Sequence, residues 1–234
     1  VSTGIGYHDF KVDFSPDVSI EQDLMRRDFT MNAIAWDMEE EHYIDPLGGI
    51  NDLSNHVLRA TSELTMVEDP LRALRAARFL SQYPFLKDDI TFGNFRPDMK
   101  GLSAERVGLE MKKSLMGLKP SRFFEFIRDH YLDAQAGWFH EVMELCDIPQ
   151  TYKWHMEGDA FTHTMMVLDS VAKAGLSYEH RFAALCHDLG KATTPPDILP
   201  SHHGHENRGY WLVDDLADRL KIDNNTRRIA KLTA

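Results

Sequence analysis

The chain has 234 residues, 43% of them apolar and 27% charged, which is the composition of a globular protein of one or two domains. Its two cysteines, Cys146 and Cys186, exclude a scaffold of several disulfides and favour a reducing, cytoplasmic compartment. A run of about 18 apolar residues is absent, as are the segments of a secretory signal. We therefore expect no membrane span and no signal peptide, and we expect a part of a longer protein because the chain ends in a predicted helix.

The net charge of −11 conceals a basic middle section. Between Arg72 and Arg128 the chain has twelve lysines and arginines against six aspartates and glutamates. A basic section within an acidic protein is typical of a groove that contacts nucleic-acid phosphates. A solvated basic face is the alternative interpretation.

The first 45 residues predict the end of an α/β unit. Residues 10–14 alternate apolar and polar side chains with the two-residue period of a strand. Ser19 and Gln22 form a capping-box pattern that opens a helix from Ser19 to Asp28. The apolar residues 33–36 and 43–44 flank an acidic tract and predict a hairpin. The earlier strands of such a unit would lie upstream of Val1.

Beyond Gly48 the pattern is helical, apart from a short predicted strand over Val57–Ala60. Prolines separate seven predicted helices from one another. These helices are Asp69–Tyr83, Ser103–Leu118, Ser121–Tyr131, Trp138–Leu145, Phe161–Ala174, Tyr178–Leu189 and Gly209–Leu220. The fold class is therefore α+β and mostly α.

The first of these helices carries arginines at three-residue spacing. Asp69 is at the N-cap position, and Arg72, Arg75 and Arg78 follow along one face of the helix. Three like charges within two turns repel one another, so we expect an anion such as a triphosphate or an RNA backbone to neutralise them. An acceptor at Asp69 and donors at Arg72 could also address the edge of a base. A solvated face explains the arginines equally well, and Asp69 would then be a cap alone.

A second polar group lies at the predicted junction of helix and strand near residue 30. Arg27, Asp28 and Asn32 fall within six residues there, and such junctions commonly hold phosphates and ribose hydroxyls. The alternative is an ordinary exposed turn with salt bridges.

Seven of the twelve histidines fall between residues 155 and 205. His187 and Asp188 end a predicted helix, and a metal ion held by both would take further ligands from His163 and from the 202–205 loop. Spacing does not decide among the loop histidines, each of which could equally be solvated or face RNA. Imidazole and carboxylate donors suit Ni²⁺, Mn²⁺ or Co²⁺, and Mg²⁺ through carboxylate and water. The histidines of this region are His155, His163, His180, His187, His202, His203 and His205.

Three segments, DLMRRDFTMNAIA, YIDPLGGINDL and EDPLRALRAARF, together resemble the bacterial class II tRNA nucleotidyltransferases, the CCA-adding enzymes, and their poly(A) polymerase relatives. The resemblance covers about residues 1–130. It implies that Arg27, Arg75 and Arg78 hold the nucleotide, with Asp28 and Asn32 beside it. It further implies that Asp69 and Arg72 form the template that pairs with the incoming base. The segment from Leu102 to Val107, with Glu110, resembles the family's neck motif, which implies support of the template helix.

The run CHDLGKATTPPDILPSHHGH resembles the HD-domain metal phosphohydrolases that are joined to CCA-adding enzymes in many proteobacteria. This resemblance implies 2′,3′-cyclic phosphodiesterase, 2′-nucleotidase and phosphatase activities. His187 and Asp188 would be catalytic, and the metal ligands would be His163, His187, Asp188 and His205. A further ligand from a later helix would lie beyond Ala234.

Together the resemblances predict the end of a nucleotidyltransferase head over residues 1–60, a helical neck over 61–148 and an incomplete HD domain over 149–234. The whole protein would add C, C and A to the 3′ end of tRNA from CTP and ATP. The alternatives are a poly(A) polymerase and an HD phosphohydrolase with an RNA-binding N-terminal part. The family's Asp-x-Asp pair, which binds Mg²⁺, has no equivalent in the 234 residues. We therefore expect no nucleotide addition by this chain alone.

Overall fold

The computed structural model describes residues 17–92, 97–134, 137–151, 156 and 158–234. The strand predicted at residues 10–14 and the histidine at position 155 lie outside these residues. The described part is mostly helical, as predicted, with two small two-stranded sheets. Within it, every helix is too short or too polar to cross a membrane.

The N-terminal segment forms the predicted helix and hairpin. Helix α1 (Ile20–Met25) begins with the capping box, in which the Ser19 and Gln22 side chains each accept from the other's backbone N–H. Strands β1 (Ala35–Asp37) and β2 (His42–Ile44) pair in antiparallel fashion, with Trp36 opposite Tyr43. The hairpin prediction is confirmed, while α1 ends before the predicted Asp28.

Helix α2 (Gly49–Ser54) and strand β4 (Lys87–Asp88) were not predicted from the sequence. Helix α2 packs so closely on the preceding turn that a Cβ on Gly49 would lie 2.1 Å from the Thr30 carbonyl oxygen. Strand β3 (Val57–Leu58) confirms the predicted short strand and pairs in parallel with β4. A two-residue strand of charged side chains shows no apolar alternation, so β4 gave no signal in the sequence.

Five helices follow in the middle of the chain. Their apolar faces pack on one another, and α4 contacts both α5 and α6. The helices over 71–82, 104–115 and 121–129 confirm the predicted ones with shorter ends, whereas the helix predicted over Trp138–Leu145 forms only one turn. The five are α3 (Thr65–Glu68), α4 (Leu71–Gln82), α5 (Ala104–Leu115), α6 (Ser121–Asp129) and α7 (His140–Met143).

The C-terminal region contains α8 (Ala160–Lys173), α9 (Tyr178–Cys186), α10 (His205–Arg219) and α11 (Asn224–Ala230). Two predicted boundaries here were wrong. Helix α9 ends at Cys186 instead of Leu189, because the next residues turn into a 3-10 helix. Helix α10 begins at His205 instead of Gly209, following Gly204 in the left-handed conformation.

The middle and C-terminal helices share one apolar core. Within the middle helices, the ring of Phe139 packs edge-on against Phe123 and Phe124 at centroid distances of 5.5 and 5.8 Å. The buried Arg181 of α9 donates to the carbonyls of Leu115 and Gly117 at the end of α5, at 2.7 and 2.9 Å. A cation at a helix C-terminus is favourable, and here it links the two helical regions.

A buried ion pair adds a second link between the regions. Glu141 of α7 is fully buried and accepts two hydrogen bonds from Arg219 of α10, at 2.5 and 2.8 Å. Arg219 also donates to the Trp138 carbonyl at 3.1 Å. The hydrogen bond and charge of Glu141 raise the pKa of Arg219.

Replacement of this carboxylate should destabilise the whole chain. We expect Glu141→Gln to lower the free energy of unfolding by about 3 kcal/mol, because it leaves the Arg219 guanidinium without a counter-charge. The matched control is Asp129→Asn, which breaks an exposed pair with Arg128 and should cost less than about 1 kcal/mol. Urea unfolding measures both values. Equal losses in the two variants would contradict a structural role for the buried pair.

Candidate functional site

Segment 26–32 lies directly against α4, so the two predicted groups of nucleotide-binding residues meet. Arg75 donates to Asp28 Oδ2 from Nε at 2.8 Å and from Nη2 at 2.6 Å. Asp28 is buried, and its other oxygen accepts from the Asn32 amide at 2.9 Å. The two oxygens of Asp28 thereby hold Arg75 and Asn32 on either side of one carboxylate.

Arg72 and Arg27 lie at the same junction. Arg72 donates to the Arg26 carbonyl at 2.9 Å and to the Thr65 carbonyl at 3.3 Å. Arg27 donates to the Asn32 carbonyl at 3.3 Å and is 3.4 Å from Asp23. Arg72 thus bonds to neutral backbone oxygens, whereas Arg27 shares the exposed carboxylate of Asp23 with Arg26.

Asp69 precedes α4 and caps it only in part. Its carboxylate accepts from the Leu71 N–H at 3.2 Å, but Pro70 occupies the N-cap position assigned to Asp69 in the sequence. The same carboxylate accepts from Arg106 of α5 at 3.2 Å. Arg106 was not predicted as a partner, because nothing in the local sequence joins residues 69 and 106.

Arg78 is the most deeply placed arginine of α4. Its Nε donates to Glu110 Oε2 at 2.6 Å, its Nη1 donates to Gln82 at 2.8 Å, and its guanidinium lies 4.3 Å from the centre of the Phe79 ring. Only 4% of the Glu110 side chain is exposed. Glu110 on α5 therefore supports α4 through this ion pair.

The expectation that the three arginines of α4 lack counter-charges within the protein was wrong for two of them. Asp28 and Glu110 neutralise Arg75 and Arg78 from neighbouring elements, and the spacing along α4 could not reveal carboxylates that are 47 and 32 residues away.

The second candidate site forms where α9 ends. The His187 ring bonds through Nδ1 to the Ala184 carbonyl at 2.8 Å, which turns Nε2 toward Asp188 Oδ2 at 3.1 Å. His163 of α8 places its Nε2 at 3.7 Å from the same oxygen. One ligand atom from each of these three residues lies within 4.8 Å of the others.

The structure separates the three histidines near residue 203. His202 uses both ring nitrogens, with Thr194 Oγ1 at 2.8 Å and the Pro149 carbonyl at 2.9 Å. His203 is exposed. His205, in the first turn of α10, bonds through Nδ1 to the His202 carbonyl and presents Nε2 at 3.5 Å from Asp188 Oδ1. Of the three, His205 is the one aimed at the group.

Asp188 is the centre of this arrangement and is buried. Burial by itself would raise the pKa of Asp188, but hydrogen bonds and charge from His187 and Lys191 hold it below its usual range. Lys191 donates to Asp188 Oδ2 at 2.7 Å. The carboxylate is therefore ionised, as a metal ligand must be.

The donor set fits a divalent metal ion. It combines imidazole nitrogens with an ionised carboxylate, and two of the rings are oriented by backbone carbonyls in the way that metal-binding histidines are. No role was predicted for Lys191, although it stands three residues after Asp188. Gln150, which bonds to Lys191, carried no signal at all.

Two family models match this chain, one in the N-terminal region and one in the C-terminal region. Residues 6–59 match the Poly A polymerase head domain family, and residues 160–234 match the HD domain family. Solved structures of similar fold include a complex of CCA-adding enzyme with CTP, at a TM-score of 0.55 and 22% identity over 89% of this chain and 46% of that one. The Thermotoga maritima CCA-adding enzyme complexed with tRNA gives a TM-score of 0.54 at 22% identity, with the same coverage.

Closer relatives cover nearly the whole chain. The multifunctional CCA protein of Laribacter hongkongensis is 44% identical over 236 residues, which are 99% of this chain and 57% of the relative. The protein of the same name from Tolumonas auensis is 44% identical over 239 residues, with the same coverage. The chain thus spans little more than half the length of these relatives. With part of a polymerase head domain and an HD domain joined through one helical core, this chain is homologous over nearly its whole length to multifunctional CCA proteins.

Proposed function

We propose that the protein containing this chain adds C, C and A to the 3′ end of tRNA, using CTP and ATP. The observation that carries this proposal is the contact between Arg75 and Asp28, which joins the head segment to α4. Around that contact, cationic and hydrogen-bonding side chains from residues 27–32 and 69–78 converge on one junction. The relatives named above support the assignment, as do solved complexes of CCA-adding enzymes with CTP, with ATP and with tRNA.

Each residue of the junction has a role that suits its surroundings. Arg27, Arg75 and Arg78 would hold the triphosphate by charge-assisted hydrogen bonds. Asp69 and Arg72 would select the base, since one offers acceptors and the other donors. Asp28 and Asn32 would position Arg75 and the sugar. Mg²⁺ would neutralise the developing charge of the transferred phosphoryl group, and its ligands would come from the rest of the protein.

Base selection is tested by Asp69→Ala in the full-length protein. We expect discrimination against UTP and GTP to fall at least about tenfold, because hydrogen bonds to a base edge are each worth about 1–3 kcal/mol. Glu68→Ala, which removes the adjacent exposed carboxylate, is the control and should leave discrimination intact. Competition between the four nucleoside triphosphates measures it. Unchanged discrimination in Asp69→Ala would refute the template role.

Product length separates this function from the alternatives. A CCA-adding enzyme stops after one A, whereas a poly(A) polymerase continues to add A. A full-length protein that adds no nucleotide at all would favour an HD phosphohydrolase with an RNA-binding N-terminal part.

We further propose that the HD region is a metal-dependent phosphohydrolase with 2′,3′-cyclic phosphodiesterase, 2′-nucleotidase and phosphatase activities. The convergence of His163, His187 and Asp188 carries this proposal, and His205 would be the fourth ligand. A bound divalent metal, Ni²⁺ among the candidates, would lower the pKa of a water molecule and polarise the phosphate. The protein holds the ligands in place through the backbone carbonyls of residues 184 and 202.

Removal of one ligand should abolish both metal binding and hydrolysis. We expect His187→Ala to lose its bound metal and its hydrolysis of 2′,3′-cyclic nucleotides, while nucleotide addition by the full-length protein persists. His203→Ala is the matched control, because His203 is an exposed histidine near the same site. Elemental analysis and a phosphodiesterase assay measure the effects. A metal-free wild-type protein whose hydrolysis equals that of His187→Ala would contradict the proposal.

A further inference from the structure

Gln150 lies in the segment between α7 and α8 and touches two parts of the candidate metal site at once. Its amide oxygen accepts from Lys191 Nζ at 2.7 Å. Its amide nitrogen donates to the Asp159 carbonyl at 3.2 Å. Asp159 is the N-cap of α8, the helix that carries His163. One buried side chain therefore joins the start of that helix to the turn that carries Asp188.

Lys191 depends on Gln150 for its position. Its ammonium is buried, with 6% of the residue exposed, and it donates to Asp188 Oδ2 and to Gln150. A buried ammonium requires acceptors, because burial without them costs several kcal/mol. The long lysine side chain has many rotamers, and the second acceptor restricts it to those that reach Asp188.

The neighbours of Gln150 bind the third part of the site. The Pro149 carbonyl faces His202 Nε2 at 2.9 Å, and Thr151 Oγ1 donates to the Pro200 carbonyl at 3.3 Å. His202 in turn orients the His205 ring through its own carbonyl. Residues 149–151 therefore contact segments that adjoin each of the three parts of the chain that supply candidate ligands.

We propose that Gln150 is a positioning residue of the metal site, which acts through Lys191 to fix the Asp188 carboxylate and so sets the affinity for the metal. This inference rests on the proposed metal-dependent function of the HD region. Partners of metal ligands orient the donor atoms, and their loss costs about 10–100-fold in metal affinity. Gln150 and Lys191 stand in that relation to Asp188.

The test is titration of the purified full-length protein with Co²⁺, followed by its visible absorption. We expect Gln150→Leu to raise the Co²⁺ dissociation constant about 10–100-fold and to alter the absorption bands, because the carboxylate is no longer held in place. Gln150→Glu keeps an acceptor for Lys191 and should restore most of the affinity. Ser121→Ala is the structural control, since it removes a buried hydrogen bond to Asp169 on α8 and should leave the Co²⁺ affinity unchanged.

A double-mutant cycle shows whether Gln150 acts through Lys191. If it does, Gln150→Leu adds no further loss of Co²⁺ affinity to Lys191→Met. Additive losses would overturn the inference, as would a dissociation constant for Gln150→Leu within twofold of wild type. Failure of the wild-type protein to bind Co²⁺ would instead overturn the metal site itself, and the inference with it.

Discussion

Three buried carboxylates of the described residues each have an arginine beside them, and this need for a counter-charge shapes the junctions where they lie. Asp28 meets Arg75, Glu110 meets Arg78, and Glu141 meets Arg219, each across a boundary between elements that are distant in sequence. An uncompensated charge in the interior would cost several kcal/mol, so replacing either partner alone would destabilise the fold. Apolar packing brings the helices together, and these pairs determine how they are oriented.

The same requirement produces the two candidate sites. At the head junction, Asp28 holds Arg75 while Arg27 and Arg72 have mostly backbone or exposed partners, so cationic charge remains for an anionic nucleotide. In the HD region a carboxylate is at the centre, and cationic or imidazole groups surround it. Asp188 is the shared acceptor, and one lysine with three nearby histidines surrounds it. The first arrangement suits phosphate binding and the second suits a divalent cation.

The two candidate sites are built on one apolar core. Arg181 ties α9 to the end of α5, and Ser121 at the start of α6 bonds to Asp169 of α8. Helix α4 and the turn that carries Asp188 are therefore attached to a common scaffold. A change that unfolds the scaffold would remove both sites, whereas the loss of one candidate ligand would affect one site.

Much of this arrangement could be predicted from local sequence pattern. The 3.6-residue apolar period predicts α4 and α5, the capping box predicts α1, and the HD motif predicts the meeting of His187, Asp188 and His163. The start of α10 could not be predicted, because histidines beside Gly204 have the composition of a loop while tertiary contacts extend the helix to His205. Long-range partners such as Glu110, Arg106 and Gln150 were also beyond reach, since their contacts depend on how whole helices pack.

In the function proposed above, the junction around Asp28 and α4 binds a nucleoside triphosphate. Calorimetric titration with CTP tests this binding most directly. In the full-length protein, Arg75→Ala should raise the CTP dissociation constant at least about tenfold, because a charge-assisted hydrogen bond is worth about 1.5–3 kcal/mol. The melting temperature of the variant, measured in parallel, controls for the loss of the partner of Asp28. An increase of less than about twofold in a folded variant, equivalent to less than about 0.5 kcal/mol, would contradict the account.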